Sequence, residues 1–155
     1  MTQIKPMICI KKITQQNRNC VFKLYQQIYS TNRKSAAFFE IMNKPSHIGF
    51  SGYVNNKLIC FISAYHVLDE IDIIELCVAQ KMRRQSIGFE LVTHLQRHCI
   101  QNEIEKIFLD VAKNNIAAIG LYEKAGFNKI RVRKNYYKLG SFSIDAYGYC
   151  WNMKI

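Results

Sequence analysis

The sequence has no apolar stretch long enough to cross a bilayer; its longest such run, residues 58–65, falls far short of the ~20 residues a spanning helix needs. Residues 1–13 carry lysines but no apolar segment of the length a secretory signal requires. A soluble, unexported, cytoplasmic protein with no membrane partner is expected. Six cysteines are present (Cys9, Cys20, Cys60, Cys77, Cys99 and Cys150), yet none form a C-x-x-C pair, and most sit in apolar segments where a thiol acts as a small core residue. Neither disulfides nor zinc are expected. Only 7 glycines and 2 prolines occur in 155 residues, which excludes a collagen-like or low-complexity chain. Acidic residues are scarce in the first half: residues 1–68 hold nine Lys and Arg against Glu40 alone, whereas residues 69–155 hold thirteen against ten. The formal charge of +11 favours an anionic partner, whether nucleic acid, a ribosome surface or the phosphates of a nucleotide. A solvated lysine-rich surface has the same composition, so charge alone names no partner.

What is present is an ordinary globular composition, 49% apolar and 21% charged, of a length that fits one domain. Residues 8–13 read as a first strand. Residues 14–30 place Cys20 and Val21, Leu24 and Tyr25, and Ile28 on one helical stripe. Residues 35–42 offer a second helix with Ser35 as N-cap, closed by Pro45. Residues 47–54 and 57–66 form a hairpin around Asn55-Asn56, and residues 71–78 a further strand. A helix over 86–102 carries Ile87, Leu91, Leu95 and Cys99 on one face. Residues 107–112 make a strand, 115–124 a helix ended by Gly126, and 128–137 and 147–154 the last strands. This order gives an α/β chain with a mixed sheet and not a Rossmann alternation.

The block from Ile73, IIELCVAQKMRRQSIGFELVTHL, runs a buried strand through a basic turn straight into a helix. Unpaired backbone N–H groups and the positive end of the helix dipole then converge at Arg84, Gln85, Ser86, Ile87, Gly88 and Phe89, as an anion site requires. The segment is too short for a Walker loop and lacks G-x-G-x-x-G spacing, which argues against an NTPase or a dinucleotide enzyme. From these residues alone, a basic helix start with a packing glycine fits as well as a phosphate site.

The second block, LDVAKNNIAAIGLYEKAGFNKIRVRKNYY from Leu109, separates the two. Together the blocks resemble the acetyl-CoA-binding core of the GNAT (Gcn5-related) N-acetyltransferase superfamily: a strand, R/Q-x-x-G-x-G/A, a helix, a strand, then N-x-x-A-x-x-L-Y-x-x-x-G-F. The second part stands as Asn115, Ala118, Leu121, Tyr122, Gly126 and Phe127. Arg133-Lys134-Asn135-Tyr136-Tyr137 and Val67-Leu68-Asp69-Glu70 are similar to the RimI branch, whose members acetylate ribosomal-protein N-terminal alanines. The resemblance covers residues 67–137 through motifs and the remainder through element order.

The resemblance implies one GNAT domain over residues 1–155, an α/β (α+β) fold with a single mixed, mostly antiparallel sheet of six to seven strands and about four helices on both faces. It implies transfer of an acetyl group from acetyl-CoA to a primary amine, the α-amine of a protein such as a ribosomal protein, with no metal and no direct nucleic-acid binding. The backbone of Leu76, Cys77 and Val78 would hold the pantetheine arm and face the thioester carbonyl, where a fixed N–H dipole stabilises an oxyanion. Residues 84–89 would wrap the pyrophosphate, and Asn115 would contact the cofactor. Tyr122 would protonate the departing thiolate, and Asp110 occupies the position of the glutamate that accepts the amine proton.

Three departures stand out. Ser86 replaces the first glycine of the phosphate loop, losing freedom at φ > 0 but gaining a hydroxyl. Asp110 is one methylene shorter than the usual glutamate, so a bridging water between it and the amine is expected. Residues 29–37 lack the proline-tryptophan segment of the RimI branch. Each residue also has a plainer role: Tyr122 as packing, Asp110 as an arginine partner, with Glu75 on the central strand as an alternative base. Glu90, His94 and His98 on one helix face do not follow H-E-x-x-H and read as exposed surface. Rival activities are acetylation of a lysine side chain or small amine, and, outside enzymes, a basic module that binds RNA or the ribosome.

Overall fold

β-Branched and aromatic residues crowd the middle and the end of the chain, and the strands of 11 and 12 residues form there. In the computed structural model, which describes residues 5–29 and 35–154, the order is β1 (Cys9–Lys12), α1 (Arg18–Tyr29), α2 (Ser35–Asn43), β2 (His47–Val54), β3 (Lys57–Val67), β4 (Glu70–Val78), a 3-10 turn (Gln80–Met82), α3 (Ile87–Gln101), β5 (Lys106–Ala112), α4 (Ile116–Lys124), β6 (Asn128–Leu139) and β7 (Phe142–Asn152). The strands form one seven-stranded sheet in the order β1-β2-β3-β4-β5-β7-β6. It is mixed: β4 and β5 run parallel, while β1–β2, β2–β3, β5–β7 and β6–β7 are antiparallel. The expected element order and mixed sheet are therefore observed. The expected first-helix end at Ser30 and the expected cap by the Ser35 side chain lie outside the described residues.

The chain divides into two compact units, one of Met1–Tyr65 with Ile74–Leu91 and one of His66–Ile73 with Val92–Ile155. In the first, Asn55 and Asn56 both take positive φ, 48° and 61°. That backbone suits a tight hairpin turn and accounts for the Asn-Asn signal between β2 and β3. Ile13, Val21, Leu24, Tyr25, Phe38, Phe61 and Cys77 form its core cluster. The buried stripe of α1 is Val21, Leu24 and Tyr25; Cys20, expected on that stripe, is exposed. It flanks the apolar face without entering it.

In the second unit, β5 alternates strictly, with Ile107, Leu109 and Val111 buried. The opposite face carries Phe108 and Asp110. Asn115 caps α4 by accepting the Ala118 N–H at 3.2 Å. Gly126 at φ 87° ends it, with the Phe127 N–H returning to the Tyr122 carbonyl at 3.0 Å. The closing hairpin is longer than expected: β7 begins at Phe142, not Tyr147, and β6 runs on to Leu139. The turn at Gly140, φ 61°, joins strand ends whose apolar residues, Leu139 and Phe142, are exposed.

One half-buried base makes the first unit sensitive to acid. The His47 Nε2 lies 2.9 Å from the Ser63 Oγ, and burial holds this imidazole below its ordinary value of 6.5. The unfolded chain takes up a proton that the folded site resists, so stability is intact above that value and falls as pH drops below it. Denaturant midpoints should fall between about pH 7.5 and about pH 5, with a shallower fall in His47→Gln. Identical slopes in parent and variant would contradict this assignment.

Candidate active site

Leaving β4, the chain winds through the 3-10 turn and enters α3 at Ile87. Two non-glycine residues there adopt left-handed backbone, Arg84 at φ 60° and Ser86 at φ 61°. Each costs about 1–2 kcal/mol in an L-residue. The turn is laced by its own side chains: Arg83 Nε donates to the Val78 carbonyl at 3.1 Å, and Gln85 Nε2 to the Lys81 carbonyl at 3.3 Å. The Ser86 carbonyl accepts the first helical bond, from the Glu90 N–H at 3.1 Å. The N–H groups of Ile87 and Gly88 precede that bond, at the positive end of the helix. Ile87 and Gly88 are buried, Gln85 and Phe89 are partly buried, and Arg84 and Ser86 are exposed. The six residues expected to hold a pyrophosphate are thus gathered on one turn, with Gln85's amide bonded back to the Lys81 carbonyl.

On β4, Leu76 and Val78 flank the buried Cys77. Its thiol lies 3.7 Å from the Tyr29 hydroxyl and 3.8 Å from Glu75 Oε1, and the Tyr29 hydroxyl donates to the same carboxylate oxygen. Burial pushes the Tyr29 hydroxyl well above its usual range, reinforced by Cys77 and Glu75. Burial likewise raises the Cys77 thiol, with the Glu75 charge adding to it. Both therefore stay protonated at neutral pH, as donors around an acceptor carboxylate. The parallel pairing of β4 with β5 joins Glu70–Ile73 to Lys106–Leu109, and Leu76, Cys77 and Val78 lie beyond it.

In the second unit, Tyr122 of α4 is 5% exposed and packs edge-on against Phe127, with ring centroids 5.5 Å apart. Asn115 commits its Oδ1 to the helix cap. Asp110 is held on three sides. Arg131 Nη2 lies 3.3 Å from its Oδ1, Arg133 Nε 3.4 Å from its Oδ2, and the Tyr137 hydroxyl donates to its carbonyl at 3.3 Å. Arg133 and Tyr137 belong to the Arg133-to-Tyr137 motif, so that motif folds onto Asp110. Arg131 comes from the far side of β7: Asp110 and Arg131 both pair with Gly148, and a Cβ on Gly148 would lie 2.4 Å from Arg131 Cγ. The absent side chain is what lets the guanidinium cross the strand.

Sequence reasoning missed Tyr29 and Arg131 as partners of these carboxylates. An isolated glycine between Tyr147 and Tyr149 was the available sign of a close approach. Glu90 pairs with Lys5, and His98 lies 3.3 Å from Asn102. Among the described residues, no three His, Cys, Asp or Glu are grouped to hold a metal.

The acetyltransferase (GNAT) family matches residues 13–127. The chain is 34% identical over 100 residues to the [ribosomal protein bS18]-alanine N-acetyltransferase of Escherichia coli strain K12, covering 64% of this chain and 68% of that protein. The crystal structure of the ribosomal-protein-S18-alanine N-acetyltransferase from Escherichia coli superposes with a TM-score of 0.88 at 25% identity, covering 96% of each chain. Arabidopsis thaliana NAA60 in complex with acetyl-CoA shares the fold, with a TM-score of 0.82 at 18% identity over 95% of this chain and 99% of that one. The protein belongs to the GNAT acetyltransferase family.

The left-handed Ser86 yields a prediction about stability. Ser86→Gly should raise unfolding free energy by about 1 kcal/mol by removing the cost of positive φ, read as a higher Tm. An unchanged or lower Tm would show that the serine hydroxyl makes up for the strain.

Proposed function

We propose that this protein transfers the acetyl group of acetyl-CoA to the α-amine of a protein N-terminus, within one catalytic domain and in the cytoplasm. The alanine-acetyltransferase relatives point to a ribosomal protein, or a chain on the ribosome, as acceptor. The observation that carries the proposal is the turn from β4 into α3, whose converging N–H groups and basic residues suit a pyrophosphate. Residues 84–89 hold the diphosphate. The backbone of Leu76, Cys77 and Val78 receives the pantetheine arm and stabilises the oxyanion, and Asn115 contacts the cofactor at the start of α4. The neutral amine attacks the thioester carbonyl, the C–S bond breaks, and Tyr122 gives its phenolic proton to the departing thiolate. Positioning of the two substrates supplies much of the acceleration. Asp110 receives the proton lost by the amine, through a water; Arg131, Arg133 and Tyr137 fix where its carboxylate stands.

A second reading gives the proton to Glu75. It is favoured by one observation: Glu75 lines a cavity and is held there by the Tyr29 hydroxyl, whereas both Asp110 oxygens face guanidinium groups.

Acetyl-CoA should raise Tm, since ligand at a hundredfold excess over Kd contributes about 2.7 kcal/mol; no shift at millimolar ligand would overturn the cofactor assignment. Tyr122→Phe should lower kcat by roughly 10²–10⁴ with little change in acetyl-CoA affinity. Asp110→Asn should lose rate at neutral pH and recover as pH rises and the amine deprotonates unaided, while Asp110→Glu should keep or raise the rate. If Asp110→Asn retains parental kcat/KM from about pH 6 to about pH 9 while Glu75→Gln does not, the base is Glu75.

A further inference from the structure

A cavity of about 360 Å³ lies in the first unit, walled by Tyr25 of α1, Phe38, Ile41 and Met42 of α2, Phe61 of β3 and Glu75 of β4. Phe38, Ile41 and Met42 stand at helical spacing, so one face of α2 lines it. The cavity is open on one side, so an occupant can enter it from solvent. It sits at the lower end of the roughly 300–1,000 Å³ of small-ligand sites. A methionine or leucine side chain fits within it and meets its apolar walls, whereas an alanine methyl leaves it almost empty.

The lining also limits the chemistry of the occupant. A charged side chain set among Phe38, Phe61 and Ile41 would lose its hydration without a partner there. The carboxylate of Glu75 stands at one wall, held by the Tyr29 hydroxyl, and is the group that complements an amine. An apolar side chain beside an amine is what the first residue of a protein presents.

We infer that this cavity receives the first side chain of the acceptor protein, selecting a bulky apolar residue such as methionine or leucine over alanine, with the α-amine placed at Glu75. This rests on the proposed N-terminal acetyl transfer, in the reading that gives the amine proton to Glu75. It sets the chain apart from its relatives, whose names specify an alanine acceptor.

The test is kcat/KM of the full chain with acetyl-CoA and peptides identical except for a first residue of Met, Leu, Ala, Ser or Lys. Met and Leu peptides should exceed the Ala peptide by about tenfold or more, since methylenes in an apolar pocket discriminate about 10–200-fold. Ala37 also lines the cavity, from the exposed side of α2. Ala37→Leu should narrow it and lower the Met-to-Ala and Leu-to-Ala ratios about tenfold, with the acetyl-CoA thermal shift confirming a folded protein. Preference for the Ala peptide, or an equal loss on every peptide in Ala37→Leu, overturns the pocket assignment and leaves N-terminal transfer standing. Acetylation of no peptide overturns both.

Discussion

The passage from β4 into α3 constrains everything around it. A strand carrying buried Cys77 must become a helix starting at buried Ile87, and the turn between them places Arg84 and Ser86 in left-handed backbone. At about 1–2 kcal/mol each, these two residues draw on a noticeable part of the roughly 5–15 kcal/mol that stabilises a domain. The strain persists because both ends are anchored. The Val78 carbonyl is tied by Arg83, the Ala79 N–H donates to the Ile59 carbonyl at 2.8 Å, and Ile87 and Leu91 are almost wholly buried. A backbone held in this shape starts α3 with its first N–H groups ahead of the first helical bond, at the positive end of the helix.

The family's motif has glycine where Ser86 stands, and the positive φ at that position shows why. The serine is a departure the fold tolerates at a local energetic cost. Replacing the glycine conserves the turn's path, since that path is dictated by the anchored ends and not by the residue's own preference.

Much of this was legible in the amino-acid sequence, for identifiable reasons. The Asn-Asn hairpin, the cap at Asn115 and the stop at Gly126 are local devices whose chemistry shows in two or three residues. The strict alternation of β5 put Asp110 on the face away from Ile107, Leu109 and Val111. What escaped was non-local. The first half of β7 alternates apolar and polar residues, but Phe142 is exposed and Ser143, Ile144 and Asp145 are only half-buried, so this end of the hairpin lies outside the core. The approach of Arg131 to Asp110 depends on a register across three strands and on Gly148 having no side chain. Tyr29 and Glu75 lie 46 positions apart, and only the packing of α1 against β4's neighbourhood in the first unit brings them into a hydrogen bond. The two carboxylates thus differ in surroundings that composition cannot reveal: one faces guanidinium groups, the other faces a phenol, a thiol and an apolar cavity.

That difference matters for acceptor choice, because an α-amine and a lysine ε-amine present different neighbours to the same nucleophilic atom. The measurement that bears most directly on the central claim is mass-spectrometric location of the acetyl group on a peptide carrying both a free N-terminus and an internal lysine, after reaction with acetyl-CoA. The account predicts acetylation at the α-amine with the internal lysine unmodified. Acetylation of the lysine with the N-terminus left free would contradict it.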